Sequence, residues 1–227
     1  ASVDDLRRRV AGAHQAYQAA RYDEVIAGLP QLLTTAEALH HSSRAGSPER
    51  EMLLSYTSAY VIAAKLLTKL GVGDLALLAS DRGVTAAVAA DSLAARGMSA
   101  YQVVCALLRA DRPEDAEPLA VAMADQLGTQ ARSDEPAVIS VAGALWLISA
   151  VIAARRTDRG EAWRRLDKAG HLAGMLGQQA EQVALGGRQI AVRHGERELH
   201  AGVQPPGAVP LVEPVRVIGQ GPPGPHP

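Results

Sequence analysis

The stretch Pro136–Gly177, PAVISVAGALWLISAVIAARRTDRGEAWRRLDKAGHLAGMLG, decides the fold. Its first half, Ala137 to about Arg155, is apolar almost all round, the signature of a helix clasped on several sides. Its second half, about Gly160 to Leu176, is amphipathic. Trp163, Leu166, Ala169 or Gly170, Ala173 and Leu176 or Gly177 recur at three- and four-residue steps, while Arg164, Arg165, Asp167, Lys168 and His171 face elsewhere. Between the halves lies Arg156-Thr157-Asp158-Arg159-Gly160, with Asp158 placed to cap the second helix. The spacing predicts a helical hairpin, and the same unit recurs upstream.

The recurrence is visible in the turns. Gly71-Val72-Gly73-Asp74-Leu75-Ala76 aligns with Asp111-Arg112-Pro113-Glu114-Asp115-Ala116, with Thr157-Asp158-Arg159-Gly160-Glu161-Ala162 and, more loosely, with Ala20-Arg21-Tyr22-Asp23-Glu24-Val25. The last residues of these frames are 51, 40 and 46 apart, a long and uneven period for a helical repeat. Around the turns the chain reads as helices throughout. One runs from Asp4-Asp5 through Tyr17. A second covers Tyr22–His41 and is expected to kink or break at Pro30. After a loop at residues 42–48, a long helix starting near Pro48 ends at Leu70 with Gly71 behind it. Asp74 is expected to cap its partner, which ends near Ala90, and Asp91-Ser92 open the next helix, to about Ala110. Pro113 starts another that ends at Gly128, and residues 129–136 form a loop.

Composition agrees. Apolar residues make up 48% of the 227, but they are Ala, Leu and Val, with no Phe and 3% aromatics, which suits close helix packing better than a sheet. The formal net charge of -1 argues against a nucleic-acid surface built on bulk charge. Cys105 is the single cysteine, which excludes an intrachain disulfide and fits a reducing, cytoplasmic setting. The opening ASVDDLRRRV lacks a signal peptide's apolar core. The most apolar stretch, Pro136–Ala154, carries Ser140, Gly143 and Ser149 and reads as a buried helix, not a membrane span.

AYQAARYDEVIAGLPQLL, AYVIAAKLLTKLGVGDLALLASDRG and ALLRADRPEDAEPLAVAMADQL resemble the tetratricopeptide-like (TPR) sensor domain at the C-terminal end of actinobacterial helix-turn-helix transcriptional regulators of the Cro/phage-repressor type. The resemblance covers roughly residues 4 to 177. It implies an all-α stack of antiparallel helix pairs, an α-solenoid, that senses a ligand or partner and is normally preceded by a DNA-binding module. The sequence here begins directly with the repeats, so no direct nucleic-acid contact is expected of it.

Counting back from Val25, Ala76, Ala116 and Ala162 assigns faces. Ala64, Ala63 and Tyr60, then Val104, Val103 and Ala100, then Ala150, Ser149 and Trp146 should meet the partner helix, which makes Trp146 a core residue. Arg7, Val10, His14, Ser58, Val61, Lys65, Met98, Tyr101, Cys105, Ala144, Leu147 and Val151 should line a concave side, basic and polar at one end and apolar at the other. Such a groove suits a peptide, a protein segment or an amphipathic small molecule. His14, Ser58, Lys65, Met98 and Tyr101 are the expected binding residues. The arginines at 155, 156, 159, 164 and 165 read as helix-surface charge.

Catalytic signals are missing: no G-x-S-x-G elbow, no phosphate-cradling glycine loop and no H-E-x-x-H pair occur. His40-His41 sits at a helix end, where histidine can meet the last carbonyls, and His194 and His200 lack ligand spacing, so no metal or cofactor is expected. The expected function is binding, with an enzyme in a helical cavity or a homodimerisation module as rivals. Residues 178–200 read as a weak additional helix. Residues 201–227 hold eight of the 13 prolines and read as an extended or disordered tail that could cover the last helix pair.

Overall fold

The computed structural model describes residues 2–42, 49–130 and 135–195, with side chains described as far as Gly177. Eight helices and no strand occur among the described residues: α1 (Val3–Gln18), α2 (Tyr22–Ser42), α3 (Glu49–Leu70), α4 (Gly73–Ala89), α5 (Leu93–Arg109), α6 (Pro113–Gln130), α7 (Pro136–Arg155) and α8 (Arg159–Gly195). The molecule is all-α, as its composition requires.

One turn is used five times. After α1, α3, α4, α5 and α7 the chain places Ala20, Gly71, Asp91, Asp111 and Thr157 in the left-handed region, with φ of 57, 80, 46, 57 and 63°. Each of these residues donates its N–H to the carbonyl three back (Tyr17, Thr68, Val88, Leu108, Ala154). The residue after it donates to the carbonyl five back, on Ala16, Leu67, Ala87, Leu107 and Ala153. The paired bonds satisfy carbonyls that a helix end leaves open, and the next helix begins at once. Only Gly71 takes the left-handed conformation without the Cβ clash that the other four accept.

The helix starts are capped locally. Ser2 Oγ accepts from Asp5 N (3.1 Å), Ser92 Oγ from Ala95 N (3.3 Å) and Asp158 Oδ1 from Glu161 N (3.0 Å), the last as expected. Asp74 departs from expectation: Val72 holds the cap position and makes no side-chain bond, so Asp74 acts only through its charge in the first turn. Pro30 does not break α2, which is one helix; Val25, Leu32 and Ala36 bury on both sides of the proline, and packing outweighs the lost bond. The helix before the second loop runs to Gln130, two residues beyond Gly128. The loops themselves, residues 43–48 and 131–134, lie outside the described residues.

Packing follows an odd–even order. α1 packs on α3, α3 on α5 and α5 on α7, while α2, α4 and α6 each touch the odd-numbered helices on either side. Val25, Ala76, Ala116 and Ala162 are the fourth residues of α2, α4, α6 and α8, and all four are buried. So are Tyr60, Ala63, Ala64, Ala100, Val104, Trp146, Ser149 and Ala150, at the positions the register assigned to the partner helix. Val10 and Val61, expected on the concave side, are buried as well. One apolar cluster joins α1 to α4 and another is centred on α5 to α8. Gly97 lets α5 approach its neighbours: a Cβ there would lie 2.5 Å from Leu127 and 2.8 Å from Val141.

α7 is long and apolar enough to cross a bilayer, with a mean hydropathy of 2.3 over its most apolar window, so its serines and Gly143 do not disqualify it by composition. In this fold 56% of that window is buried against protein. α8 corrects the opening reading in one respect. Ala162, Arg165 and Ala169 face inward, while Trp163 is 57% and Leu166 38% exposed. Two alanines allow α8 to approach α7 closely, and the arginine between them is fully engaged: Nη1 donates to Ser149 O (2.8 Å), Nη2 pairs with Glu117 (2.8 Å) and Nε with Glu161 (2.7 Å). Arg156 holds the other Glu117 oxygen. Arg165 is therefore a buried residue, not surface charge.

Residues Ala1–Val183 form one compact unit and Ala184–Pro227 another. Of the second, residues 184–195 are described, as helix. The stretch read as a separate weak helix, 178–200, is helical without interruption from α8 as far as Gly195. The tail 201–227 lies outside the described residues.

Candidate binding groove

The C-terminal halves of α1, α3 and α5 frame a groove of about 510 Å3. α3 and α5 each present residues at four-residue spacing, one face per helix. α1 contributes Tyr17, α3 contributes Lys65 and Lys69 with Thr68 beside them, and α5 contributes Tyr101, Cys105 and Arg109 with Gln102.

Aromatic rings position the cations. Tyr17 and Tyr22 meet edge-on, with centroids 5.3 Å apart. Lys65 Nζ lies 5.9 Å from the Tyr17 centroid and Lys69 Nζ 5.4 Å from that of Tyr22. Arg109 lies over the turn after α3, its Nη2 3.2 Å from where a Cβ on Gly71 would sit. No carboxylate lines the groove, and no acid pairs with Lys65, Lys69 or Arg109 among the described residues.

Burial governs the titration of the groove. It lowers the Lys65 ammonium from its ordinary value, with Cys105 acting the other way. It pushes the Cys105 thiol up to about 11, with the Tyr101 hydroxyl and Lys65 acting the other way. Tyr101 is pushed up to about 12 by burial and by Cys105. Both groups keep their protons at neutral pH, so the charge in the groove is purely positive. An activated cysteine needs a depressed pKa, and Cys105 has the reverse.

Of the five expected binding residues, Lys65 and Tyr101 share this groove. His14 adjoins it on α1: burial, and then Lys65, lower its pKa, against a hydrogen bond with the Ser58 backbone. Ser58 lines a separate hollow of about 240 Å3 with Arg7 and Glu51. Met98 is half-buried against the second apolar cluster and reaches the groove only through Gln102, whose Nε2 lies 3.9 Å from its sulfur. Of the expected apolar end, Tyr101 and Cys105 line the groove, whereas Leu147 and Val151 on α7 do not and are 50% and 49% exposed. Tyr17, Lys69 and Arg109 lie outside the expected set because that set stops one turn short of them. They follow His14, Lys65 and Cys105 by three or four residues, and that continuation was the available signal. Nothing in the sequence marks Thr68.

A second polar cluster lies between α2, α3 and α4. Glu37 accepts from Tyr56 (2.9 Å), from Tyr60 and from Arg82 (2.9 Å), with His41 at 3.8 Å. His40 packs on the Tyr56 ring with centroids 4.8 Å apart. The histidine pair thus meets side chains of α2 and α3. Tyr60 buries its ring as expected, yet its hydroxyl ends in a polar network.

Comparison of the chain with protein-family models, with curated proteins and with solved structures finds no match.

Proposed function

We propose that this chain is a ligand- or partner-binding helical repeat domain, a tetratricopeptide-like stack of helix pairs serving as the cytoplasmic sensor part of a bacterial transcriptional regulator. The occupant, a peptide, a protein segment or an amphipathic small molecule, lies in the groove between α1, α3 and α5. One observation carries the reading: three successive odd-numbered helices border one groove, where a half-buried lysine without an acid partner among the described residues sits beside Tyr17 and Tyr101. The repeat architecture is supported by the turn used five times and by the buried fourth residue of every even-numbered helix. A ligand touching three helices at once would fix their relative angles, which is how a signal would reach an attached module.

The test is stabilisation by ligand. Peptides and small amphiphiles of graded charge are titrated while the melting temperature is followed; a binder at a hundredfold excess over its Kd adds about 2.7 kcal/mol, a rise of roughly 5–10 °C for a domain of this size. The rise should vanish in Lys65→Ala and Tyr101→Ala. A rise that both variants keep would place the site elsewhere, and no rise with any probe would leave a scaffold role. The exposed Trp163 and Leu166 favour a second reading, a homodimer joined through α8; a monomer mass at high concentration would dismiss it.

A further inference from the structure

Helix ends attract cations for a plain reason: the last carbonyls are electronegative. Lys69 and Arg109 stand in the last turns of α3 and α5 and serve that purpose. Lys65 does not, being a full turn further in, half-buried and without an acid partner among the described residues. Thr68 also lines the groove, and its Oγ1 is buried without a hydrogen-bond partner among the described residues. Partial burial of an ammonium and an idle hydroxyl both cost stability unless something completes them. The walls beside them are the rings of Tyr17 and Tyr101, and the volume falls in the range of small-molecule sites.

We propose that the groove takes a small organic anion with a flat ring, its carboxylate or phosphate held among Lys65, Lys69 and Arg109 beside the Thr68 hydroxyl, its ring lying between Tyr17 and Tyr101. This rests on the groove being the binding site and adds the chemistry of what fills it. Three cations converge there with no carboxylate in the lining, so a neutral or cationic guest leaves them uncompensated.

Cys105, the single thiol of the chain, lines the same groove and reports on its occupancy. Its alkylation by N-ethylmaleimide, an uncharged reagent, is timed with benzoate, phenyl phosphate, benzamide or inorganic phosphate present. Benzoate and phenyl phosphate are expected to slow the reaction saturably, and the tighter of the two names the head group. Benzamide, and inorganic phosphate without a ring, should each bind roughly tenfold or more weakly, the scale of one charge-assisted hydrogen bond. Lys65→Met should lose protection by a similar factor with an unchanged melting temperature. Lys69→Met, altered at an exposed position, repeats the test should the first variant be unstable.

Benzamide protecting as well as benzoate, or both variants binding benzoate like the parent chain, would overturn the anion while leaving a groove that binds. Inorganic phosphate matching phenyl phosphate would overturn the ring. Protection by none of the four overturns the proposal as a whole; peptide-induced stabilisation lost in Tyr101→Ala would then still support the groove as a binding site.

Discussion

Replacing Arg165 by leucine tests whether a buried arginine, and not an apolar stripe, seats α8. Leucine keeps the inner part of the side-chain stem, so the loss is mainly the guanidinium. Three contacts disappear: the bond to the Ser149 carbonyl (2.8 Å), the pair with Glu117 (2.8 Å) and the pair with Glu161 (2.7 Å). A charge-assisted bond to a buried carbonyl contributes about 1.5–3 kcal/mol. Breaking a fully buried ion pair costs about 3–5 kcal/mol, but Glu117 keeps Arg156, so its share is smaller. Glu161 is solvated and adds nothing that can be assigned. Together these give about 2–4 kcal/mol, or a fall in melting temperature of roughly 5–15 °C. Urea unfolding followed by circular dichroism should show a lower midpoint with an unchanged slope. Adding Glu117→Gln to the leucine variant should recover about 1 kcal/mol, because the acid left with half its partners is then gone. A loss under about 1 kcal/mol, or a double variant worse than the sum of its parts, would refute the reasoning.

Thr157 is a β-branched residue at φ 63°. Left-handed backbone costs it about 1–2 kcal/mol against glycine's extra chain entropy of about 0.5–1 kcal/mol, so Thr157→Gly should stabilise by roughly 0.5–1 kcal/mol; an unchanged or lower urea midpoint would count against the strain. Gly97→Ala pushes a methyl to 2.5 Å from Leu127 Cδ1 and 2.8 Å from Val141 Cγ1 and should cost about 1–3 kcal/mol, whereas Gly170→Ala, which meets nothing within 4 Å, should be neutral or stabilising. Glu37 supplies a pH test. Burial pushes its carboxyl up, but donors from Tyr60 and Tyr56, with Arg82 nearby, outweigh burial and hold it below its ordinary 4.5. A pKa lower in the folded than in the unfolded chain means stability present above pH 4.5 and lost as the pH falls through the folded value. The gap in urea midpoint between the parent and Glu37→Gln should therefore close below pH 4.5; a gap that persists in acid would rule out the mechanism.

Much of the architecture was open to inspection in the sequence. Ala-rich segments at helical spacing and recurring turn signals located the tight turns after α1, α3, α5 and α7, Asp91-Ser92 marked the start of α5, and the register anchored on Val25, Ala76, Ala116 and Ala162 picked out buried positions, Trp146 included. The site was half legible. Lys65 and Tyr101 were expected on one wall and do share a groove, but Met98 turned toward the core and Ser58 toward a separate hollow. Register gives a face of a helix; it does not say at which height along that face the neighbours leave a gap.

The sequence alone determined what depends on neighbours a few residues apart: helix positions, the turns that join them and the helix starts at Ser92 and Asp158. Tertiary structure decided what depends on groups far apart in the chain. It buried Arg165 and exposed Trp163, against their usual preferences, because Glu117 and the Ser149 carbonyl lie within reach of one and no neighbour covers the other among the described residues. It also joined Tyr17, Lys65 and Tyr101, on α1, α3 and α5, into one groove. Hydrophobicity is a property of a side chain, but the free energy of burying it belongs to the whole set of partners that the fold assembles around it.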